Sequence, residues 1–539
     1  MRTLESSDDH IFEAWPSNGR FTKNPDMVVL PNGKLLAVYT DADKHWAESM
    51  IYLTIIESND RGKTWSNPRV LIQSDRSKRE PHWLTPRINL LSDGRLAVLC
   101  DIDDFEYAHE YQNPEGIWIW WSDDYGETWS DPQLTGIPGI EPDQVVELQN
   151  GRLAIGTELI LGDTQKIAQL VSLSDDGGKT WGKPIIVAKD SVHDYNEGSI
   201  VLLNDDSIVC VMRDNLHNNY PSYIAFSYDN ADSWSAPVEA PFSGDRPYSG
   251  QLSDGRLFVT YRNKGGNPGT YGWIGDIHGE LRYQCSALRS GPSEITLDEA
   301  DGLHIVHNDP ATTQYNLLPP ENFRSEMTWE SELKVQGDVH DQQCAIIQIG
   351  RFHVTGSGQG VLRLTIRPDG LYVGSVHHMS VSIDRFWSCD MTDWHKIRIH
   401  HKGGLLQFYL DGKCVLRHQV VREAPLAPTY FGTPPNSVGQ SWWRNVTYQV
   451  TNSSEADHFW KWDMNGGTFP DQYEIDNIIE LHANHHESPD NGYSTWHQFD
   501  DGEILVLDYT NNGDPLGQAH LVSCRLKVQD LSSIGRRSQ

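Results

Sequence analysis

An eight-residue motif, Ser-x-Asp-x-Gly-x-Thr-Trp, recurs along the first half of the chain and constrains its fold more than any other feature. Intact copies occupy residues 58–65, 122–129 and 174–181, and a degenerate copy occupies 227–234. The final tryptophans are separated by 64, 52 and 53 residues, a spacing typical of four-stranded propeller blades. Aspartate can cap a tight turn, glycine permits positive φ, and tryptophan can pack between blades. The motif therefore predicts a repeated β-architecture.

A second repeat lies between the motifs: two apolar segments joined by a turn such as Asn-Gly or Asp-Gly, the pattern of a β-hairpin. The turn positions are 61, 57, 55, 49 and 247 residues apart, which predicts six blades and a long insertion. We therefore expect an all-β protein with a six-bladed β-propeller, built from residues 1–300 and 455–530. The strand around Trp460 is expected to complete the fifth blade. The six turn positions are Gly33, Gly94, Gly151, Asp206, Gly255 and Gly502.

The insertion has a different pattern, because residues 325–452 alternate polar and apolar residues without any copy of the motif. Within it, residues 394–416 and the Asp411-Gly412 turn resemble the strand–turn–strand core of laminin-G and concanavalin-like domains. This resemblance implies an inserted β-sandwich of the jelly-roll type. Trp442 and Trp443 either stack on a glycan from an exposed face or belong to the core.

Composition limits the partners. The chain has 75 acidic and 43 basic residues, a net charge of −32. Such a chain repels phosphate backbones and anionic lipids, so we expect neither nucleic acid nor membrane as a partner, although a local basic pocket can hold an anion. No stretch approaches the ~20 apolar residues of a membrane span and no secretory signal is seen, so a cytoplasmic location is expected. Seven scattered cysteines without a CxxC pair predict neither a disulfide framework nor a metal site.

Equivalent positions of the six blades should converge, because the innermost strands of a propeller line its central channel. Clustered guanidinium groups can bind a carboxylate with two parallel hydrogen bonds. A tyrosine beside a glutamate is an activated phenol, a nucleophile suited to a substrate that carries a carboxylate next to its reacting carbon. Seven residues after the turn positions lie Thr40, Asp101, Glu158, Arg213, Arg262 and Tyr509, and nine residues before them lie Asn24, Thr85, Pro142, Glu197, Arg246 and Tyr493.

These features resemble the sialidase superfamily, whose six-bladed propellers carry the same repeated motif, an arginine triad, a Tyr–Glu pair and an aspartate acid. The strand that begins Asn196-Glu197-Gly198, followed by Arg213, resembles the family's glutamate strand and its second arginine. The segment that begins at Tyr493 resembles the family's catalytic-tyrosine hairpin. The resemblance implies that Tyr493 and Glu197 form the nucleophile and that Arg213 binds the substrate carboxylate.

The sequence departs from the family pattern at the other two arginines. Where the family has Arg-Ile-Pro, this chain begins the tripeptide with Lys23. Lys23 replaces the first arginine, or Arg20 or Arg87 substitutes for it. The third arginine is Arg262 by its hairpin position, with Arg246 as the alternative.

The proton donor is also left open, because residues 39–48 contain two candidates, Asp43 and Glu48. With either one, the chain is expected to be an exo-acting glycoside hydrolase of sialidase type. It would remove a terminal acidic sugar from a glycan without any cofactor.

Two other functions fit the same sequence. A uronate-specific polysaccharide lyase or hydrolase, of the rhamnose–glucuronate type, needs a base, an acid and a cation on the uronate carboxylate. A non-catalytic glycan-binding propeller needs none of these, and the Glu197–Tyr493 pair favours an enzyme. The lyase hypothesis depends on histidines near the strand ends and in one cluster: His82, His193, His217, His497, His482, His485 and His486.

Overall fold

The computed structural model divides the chain into two compact units, Met1–Tyr283 with Ile475–Gln539 and Gln284–Glu474. No helix among the described residues is long and apolar enough to cross a membrane. The structure describes residues 2–3, 11–15, 19–103, 116–216, 220–263, 267–279, 281–352, 361–377, 380–420, 427–452 and 457–527.

The described part of the first unit forms six small sheets, antiparallel except where Arg2–Thr3 pairs with Ile478–Ala483 in parallel, so the predicted six-bladed propeller is confirmed. All six predicted turn positions have positive φ, between +70° and +90°, as tight hairpin turns require. The first three blades are Phe21–Val29, Leu35–Ala42, Met50–Ser58 and Arg69–Asp75; His82–Trp83, Arg87–Leu90, Leu96–Asp103, Ile117–Ser122 and Gln133–Leu134; and Val146–Glu147, Leu153–Leu161, Lys166–Ser174 and Ile185–Ala188.

The last three blades include strands from distant parts of the chain. In the sixth blade the N-terminal strand Ile11–Trp15 pairs with His520–Lys527, which closes the ring with strands from both ends of the chain. These blades are Tyr195–Leu202, Ile208–Asp214, Tyr223–Ser227 and Val238–Glu239; Asp245–Gln251, Leu257–Asn263, Gly269–Gly275, Ile478–Ala483 and Arg2–Thr3; and Asn491–Gln498, Glu503–Thr510, His520–Lys527 and Ile11–Trp15.

The fifth blade is not completed by the strand that the sequence suggested. Strand His458–Asp463, which contains Trp460, pairs with Ser437–Thr451 in the second unit. Its alternate side chains Trp460 and Trp462 are buried in that unit's core, and this burial holds the strand there. The fourth strand of the blade is Ile478–Ala483, which pairs with Gly269–Gly275.

Each eight-residue motif forms a capped turn between the third and fourth strands of its blade. In the first copy, Ser58 Oγ donates to Asp60 Oδ1 at 2.8 Å and accepts the Gly62 N–H at 2.8 Å. Asp60 also accepts the Thr64 N–H and hydroxyl at 2.9 and 2.7 Å. Despite some burial, these hydrogen bonds lower the pKa of Asp60 to about 2. The same bonds recur around Asp124, Asp176 and Asp229.

The motif glycine and tryptophan lie at the junction of two blades. Trp129 packs against a core that contains Leu36 of the first blade and Leu96 of the second. Gly126 has φ +86°, and a Cβ there would lie 2.7 Å from Leu36 Cδ1. Glycine is therefore required at this position by both the backbone and the neighbouring blade.

The second unit is a 14-stranded, sandwich-like arrangement around one large core. Trp443 is fully buried, whereas Trp442 is partly exposed and stacks on His304 with ring centroids 4.1 Å apart. The strands are Ser286–Ser290, Glu294–Asp298, Gly302–Leu317, Glu326–Gln336, Ala345–Ile349, Val361–Arg367, Gly370–His377, Ser380–Ser388, His395–Lys402, Leu405–Leu410, Lys413–Gln419, Thr429–Gly432, Ser437–Thr451 and His458–Asp463.

Helix is rare among the described residues. The 3-10 turns are Arg76–Lys78 and Met464–Gly466, and the α-helix is Gln472–Asn477. The side chains that could carry chemistry are therefore positioned by strands and by the connections between them.

Replacement of Gly126 by alanine tests the packing between blades. Alanine at φ near +85° loses roughly 1–2 kcal/mol of unfolding free energy, and the contact with Leu36 adds about 1–3 kcal/mol of overpacking. Gly33→Ala is the matched control, because Gly33 has φ +82° and open space around its Cβ position. Urea denaturation followed by tryptophan fluorescence should show the larger loss for Gly126→Ala. Equal losses would mean that this glycine is not packed between blades.

Candidate active site

Five blades contribute a non-glycine residue in the left-handed region near the start of the innermost strand. In four of them the ladder shifts register at this point, as in a β-bulge that re-aims a side chain. A left-handed backbone conformation at a residue other than glycine costs about 1–3 kcal/mol of folding free energy, and such residues are concentrated at functional sites. The residues are Asn24, Glu141, Glu197, Arg246 and Tyr493, with φ of +54°, +53°, +50°, +48° and +59°.

Glu197 and Tyr493 form the central pair of this site. The Tyr493 hydroxyl donates to Glu197 Oε1 at 2.9 Å, although the two residues are 296 positions apart. Arg213 donates to the same oxygen at 2.9 Å, and the Arg246 backbone N–H donates to Glu197 Oε2 at 2.7 Å. Both carboxylate oxygens are therefore held, which fixes the carboxylate against the phenol.

Three arginines surround the phenol ring. The Cζ atoms of Arg246 and Arg262 lie 5.1 and 5.3 Å from the Tyr493 ring centroid, within cation–π range. Arg213 bridges Glu197 and Asp245, the latter at 2.8 Å, and Arg246 pairs with Glu141 at 3.0 Å. Arg213, Arg262 and Arg246, the last expected only as an alternative to Arg262, are thus brought together with the Tyr–Glu pair.

Arg262 has the weakest bonds of the three. Its contacts to Asp245 and to the Asn491 carbonyl oxygen are 3.4 and 3.5 Å long. Its buried Nε has no hydrogen-bond partner among the residues that the structure describes. A buried guanidinium with unused donors is suited to a carboxylate that arrives with a ligand.

The charges favour an ionised glutamate and a neutral phenol. Burial opposes ionisation of Glu197, but Arg213, Arg262, Arg246 and the Tyr493 hydrogen bond together lower its pKa to about 2. Burial raises the pKa of Tyr493 well above its usual value, and the neighbouring carboxylates of Glu141 and Glu197 act in the same direction. Glu197 is thus ionised and accepts the hydrogen bond of a neutral phenol, which puts it in position to take the phenolic proton as the tyrosine oxygen attacks.

A second layer of acids lies behind the pair. Glu158 accepts the Glu197 backbone N–H, and burial together with Glu141 and Glu197 raises the pKa of Glu158 well above its usual value. Asp101 accepts the N–H groups of Thr85 and Glu141, and burial and the Glu141 charge raise its pKa to about 7. Protonation of these acids leaves the arginines less neutralised, so the site favours an anionic ligand.

The candidates for the first arginine are placed differently from one another. Lys23 is buried at the start of the first blade, donates to the His45 carbonyl oxygen at 2.5 Å and lies over the Trp46 ring. Arg20 pairs with Asp41 and donates to the Asp41 and Met50 carbonyl oxygens.

Arg87 is fully buried, and its guanidinium lies 5.7 Å from the Tyr248 ring centroid. Burial lowers the pKa of Arg87, with the charges of Asp26 and Asp143 acting in the opposite direction. The bonds of Arg20 therefore fit a structural role better than ligand binding, whereas the buried Nε of Arg87 has no hydrogen-bond partner among the described residues.

Neither sequence candidate for the proton donor has the environment of one. Asp43 accepts the Glu48 backbone N–H at 3.1 Å, and hydrogen bonds from Ser49 and the backbone lower its pKa despite some burial. The Glu48 side chain is 75% exposed and pairs with Lys44. Asp43 thus caps its own loop and Glu48 lies on the surface.

The histidines named from the sequence lie in different surroundings. His193 Nδ1 bonds to Asp214 at 2.7 Å, and His82 is buried, which lowers its pKa to about 2. His217 lies outside the described residues. No group of three or more histidine, cysteine or acidic side chains is placed to hold a metal ion in the described part of the chain. Of the histidines named from the sequence, His193 is thus held by Asp214, and burial keeps His82 neutral.

Four site residues were missed by the sequence reasoning: Glu141, Asp245, His45 and Asp490. Glu141 occupies the left-handed position that counting from the turn had assigned to Pro142. Asp245 directly precedes Arg246 in the sequence, and an acidic residue next to a predicted site arginine is a pattern that could have indicated it. His45 and Asp490 are bonded at 2.7 Å across 445 residues, and no local pattern reports such a pair.

Comparison with known proteins extends these observations. Segments 7–135 and 106–290 match the family model described as a BNR repeat-like domain, and together they cover more than half of the chain. A sialidase of Clostridium perfringens is 26% identical over 233 residues, 36% of this chain and 59% of that protein. A sialidase of Paraclostridium sordellii is 24% identical over 268 residues, 46% of this chain and 54% of that protein. The matches span little more than half of these relatives' length.

Two solved structures resemble this chain at low sequence identity. A protein of unknown function from Dyadobacter fermentans has a TM-score of 0.44 and 18% identity, covering 58% of this chain and 94% of its own. A Trypanosoma rangeli sialidase in complex with sialic acid has a TM-score of 0.38 and 12% identity, covering 83% and 96%. With the family match and the six blades, the chain belongs to the BNR repeat-like family, and its first unit is a propeller of the sialidase type.

Proposed function

We propose that this protein is an exo-acting glycoside hydrolase that removes a terminal acidic sugar from a glycan. The observation that carries the proposal is the 2.9 Å hydrogen bond from Tyr493 to Glu197 inside a group of three arginines. The curated relatives are named sialidases, which supports the same class of reaction.

The arginines suit a substrate that carries a carboxylate. Arg262, with its long contacts and unused Nε, is the first binding group, and Arg213 and Arg246 supply further positive charge. A carboxylate nucleophile would be repelled by such a substrate, whereas a neutral phenol is not. The choice of tyrosine as nucleophile follows from the charge of the substrate.

The reaction proceeds in two displacements. The Tyr493 oxygen attacks the anomeric carbon while Glu197 takes the phenolic proton, and the bond to the leaving oxygen breaks as that oxygen is protonated. Water then attacks the anomeric carbon of the glycosyl–tyrosine intermediate and gives a proton to the group that had protonated the leaving oxygen, while the tyrosine oxygen leaves and takes its proton back from Glu197. Two displacements give retention of configuration at the anomeric carbon.

Removal of the phenolic oxygen tests the nucleophile. Tyr493→Phe should lower kcat toward a fluorogenic sialoside by roughly 1,000-fold or more, because no oxygen remains to attack. Tyr39→Phe is the matched control, since Tyr39 is buried and its hydroxyl has no hydrogen-bond partner in the described structure. Sialic acid release that survives in Tyr493→Phe would exclude this nucleophile. Ultraviolet absorbance of unsaturated uronate from rhamnose–glucuronate oligosaccharides would instead establish a lyase.

A change of Arg262 to lysine tests carboxylate binding. Lysine keeps the charge but loses the two-pronged geometry, so KM should rise by about 10- to 100-fold, which corresponds to 1.5–3 kcal/mol for a hydrogen bond to a charged group. Arg20→Lys should leave KM within about twofold, because Arg20 is bonded to Asp41 and backbone carbonyls. The KM of both variants is measured by steady-state kinetics. A larger rise in KM for Arg20→Lys than for Arg262→Lys would contradict the assignment of Arg262 as the carboxylate-binding residue.

A further inference from the structure

A histidine–aspartate pair lies beside the Tyr–Glu pair. His45 Nδ1 is 2.7 Å from Asp490 Oδ2, and Asp490 Oδ1 accepts the Tyr509 hydroxyl at 2.7 Å. Asp490 directly precedes the strand Asn491–Gln498, which carries Tyr493. The aspartate is thus anchored to the same strand as the nucleophile.

A series of ring contacts links His45 to Tyr493 through Phe21 and Tyr509. Its ring packs edge-on against Phe21, with centroids 5.6 Å apart, and Phe21 in turn lies 6.4 Å from the Tyr509 ring. The Tyr509 ring lies 6.4 Å from the Tyr493 ring. Arg262, which lies over the Tyr493 ring, acts electrostatically on both His45 and Asp490.

The imidazole has one nitrogen bound and one available. Nδ1 is used by Asp490, and Nε2 has no hydrogen bond within the described residues, while 37% of the His45 side chain is exposed. A carboxylate on Nδ1 fixes the ring orientation and stabilises the imidazolium form. Such an imidazole can deliver a proton from Nε2.

We propose that His45, oriented by Asp490, is the proton donor to the leaving-group oxygen, in place of Asp43 or Glu48. This assignment rests on the proposed function. Asp490 is a positioning residue, since it acts through His45 and does not touch the reacting atoms.

Every proton that His45 and Glu197 give or take is restored within one catalytic cycle. In the first displacement the proton on His45 Nε2 passes to the aglycone oxygen as its bond to the anomeric carbon breaks, and neutral imidazole remains. In the second, His45 Nε2 takes a proton from the attacking water, which regenerates the imidazolium. Glu197 separately takes and returns the Tyr493 proton, so both groups end in their starting states.

The charges around His45 determine the pKa of its imidazole. Burial lowers the pKa of His45, and the charges of Lys23 and Arg262 act in the same direction, while the bond to Asp490 opposes them. Asp490 remains ionised, because its bonds from His45 and Tyr509 outweigh burial and lower its pKa to about 2. A substrate carboxylate on Arg262 would offset one of the two cations that lower the pKa of His45, which shifts that pKa upward.

The neighbouring Trp46 presents a partly exposed aromatic ring beside His45. Its side chain is 53% exposed, and its ring lies edge-on to His45 at 5.7 Å and to His82 at 5.8 Å. The Lys23 ammonium lies 5.6 Å from the same ring. An exposed indole beside a proton donor is a suitable platform for the sugar that departs.

Dependence on the leaving group tests the proposal. An aryl sialoside such as 4-methylumbelliferyl sialoside releases a phenol that needs little protonation, whereas sialyllactose releases an alcohol that needs it. His45→Gln should lower kcat on sialyllactose by about 100-fold or more, but by less than about tenfold on the aryl sialoside. Asp490→Asn should show the same selectivity in weaker form. Asp43→Asn, the matched rival, should show none.

The possible outcomes separate the two proposals. A wild-type protein inactive on both substrates overturns the proposed function and, with it, the role of His45. An active wild-type protein with equal losses, or no loss, in His45→Gln overturns the role of His45 alone. If Asp43→Asn, and not His45→Gln, loses activity mainly on sialyllactose, then Asp43 is the proton donor and the role of His45 is overturned. Thermal melting of each variant identifies a loss that comes from misfolding.

Discussion

The Glu197 carboxylate is the group on which the site depends. Its two oxygens accept hydrogen bonds from Tyr493, Arg213 and the Arg246 backbone N–H, which belong to the sixth, fourth and fifth blades. A buried carboxylate without such partners would cost several kcal/mol or become protonated. Here the partners keep it ionised, and the same bonds join three blades around the channel.

The backbone supports this arrangement at a cost. Left-handed residues at the innermost strands turn their side chains together, and each of these conformations is unfavourable for a residue with a Cβ. The strain is tolerated because the surrounding sheets are rigid and the ring is closed by Ile11–Trp15 against His520–Lys527. Capped motif turns and the tryptophans between blades provide that rigidity without taking part in the chemistry.

Much of the propeller could be predicted because its signals are local. A hairpin turn such as that at Gly33 and a capped turn such as that at Asp60 each depend on residues within a few positions. Repetition then gave the register, which placed Glu197, Tyr493 and the arginines at equivalent positions, and the structure brings these side chains into contact. In the third blade the left-handed residue lies ten positions before the turn, not nine as in the other blades that have one. Counting nine positions back therefore gave Pro142, and Glu141 was missed. The strand at Trp460 was misassigned because two cores compete for an apolar strand, and only packing selects one.

The amino-acid sequence by itself determined the number of blades, the turns between their strands and the basic, phenolic and carboxylate side chains at equivalent positions. These follow from short-range periodicity and turn chemistry. The tertiary structure decided which side chains meet. Asp43 and Glu48 are satisfied within their own loop, while His45 reaches Asp490 across 445 positions. Such a contact depends on ring closure, since only the closed propeller brings the first and sixth blades together.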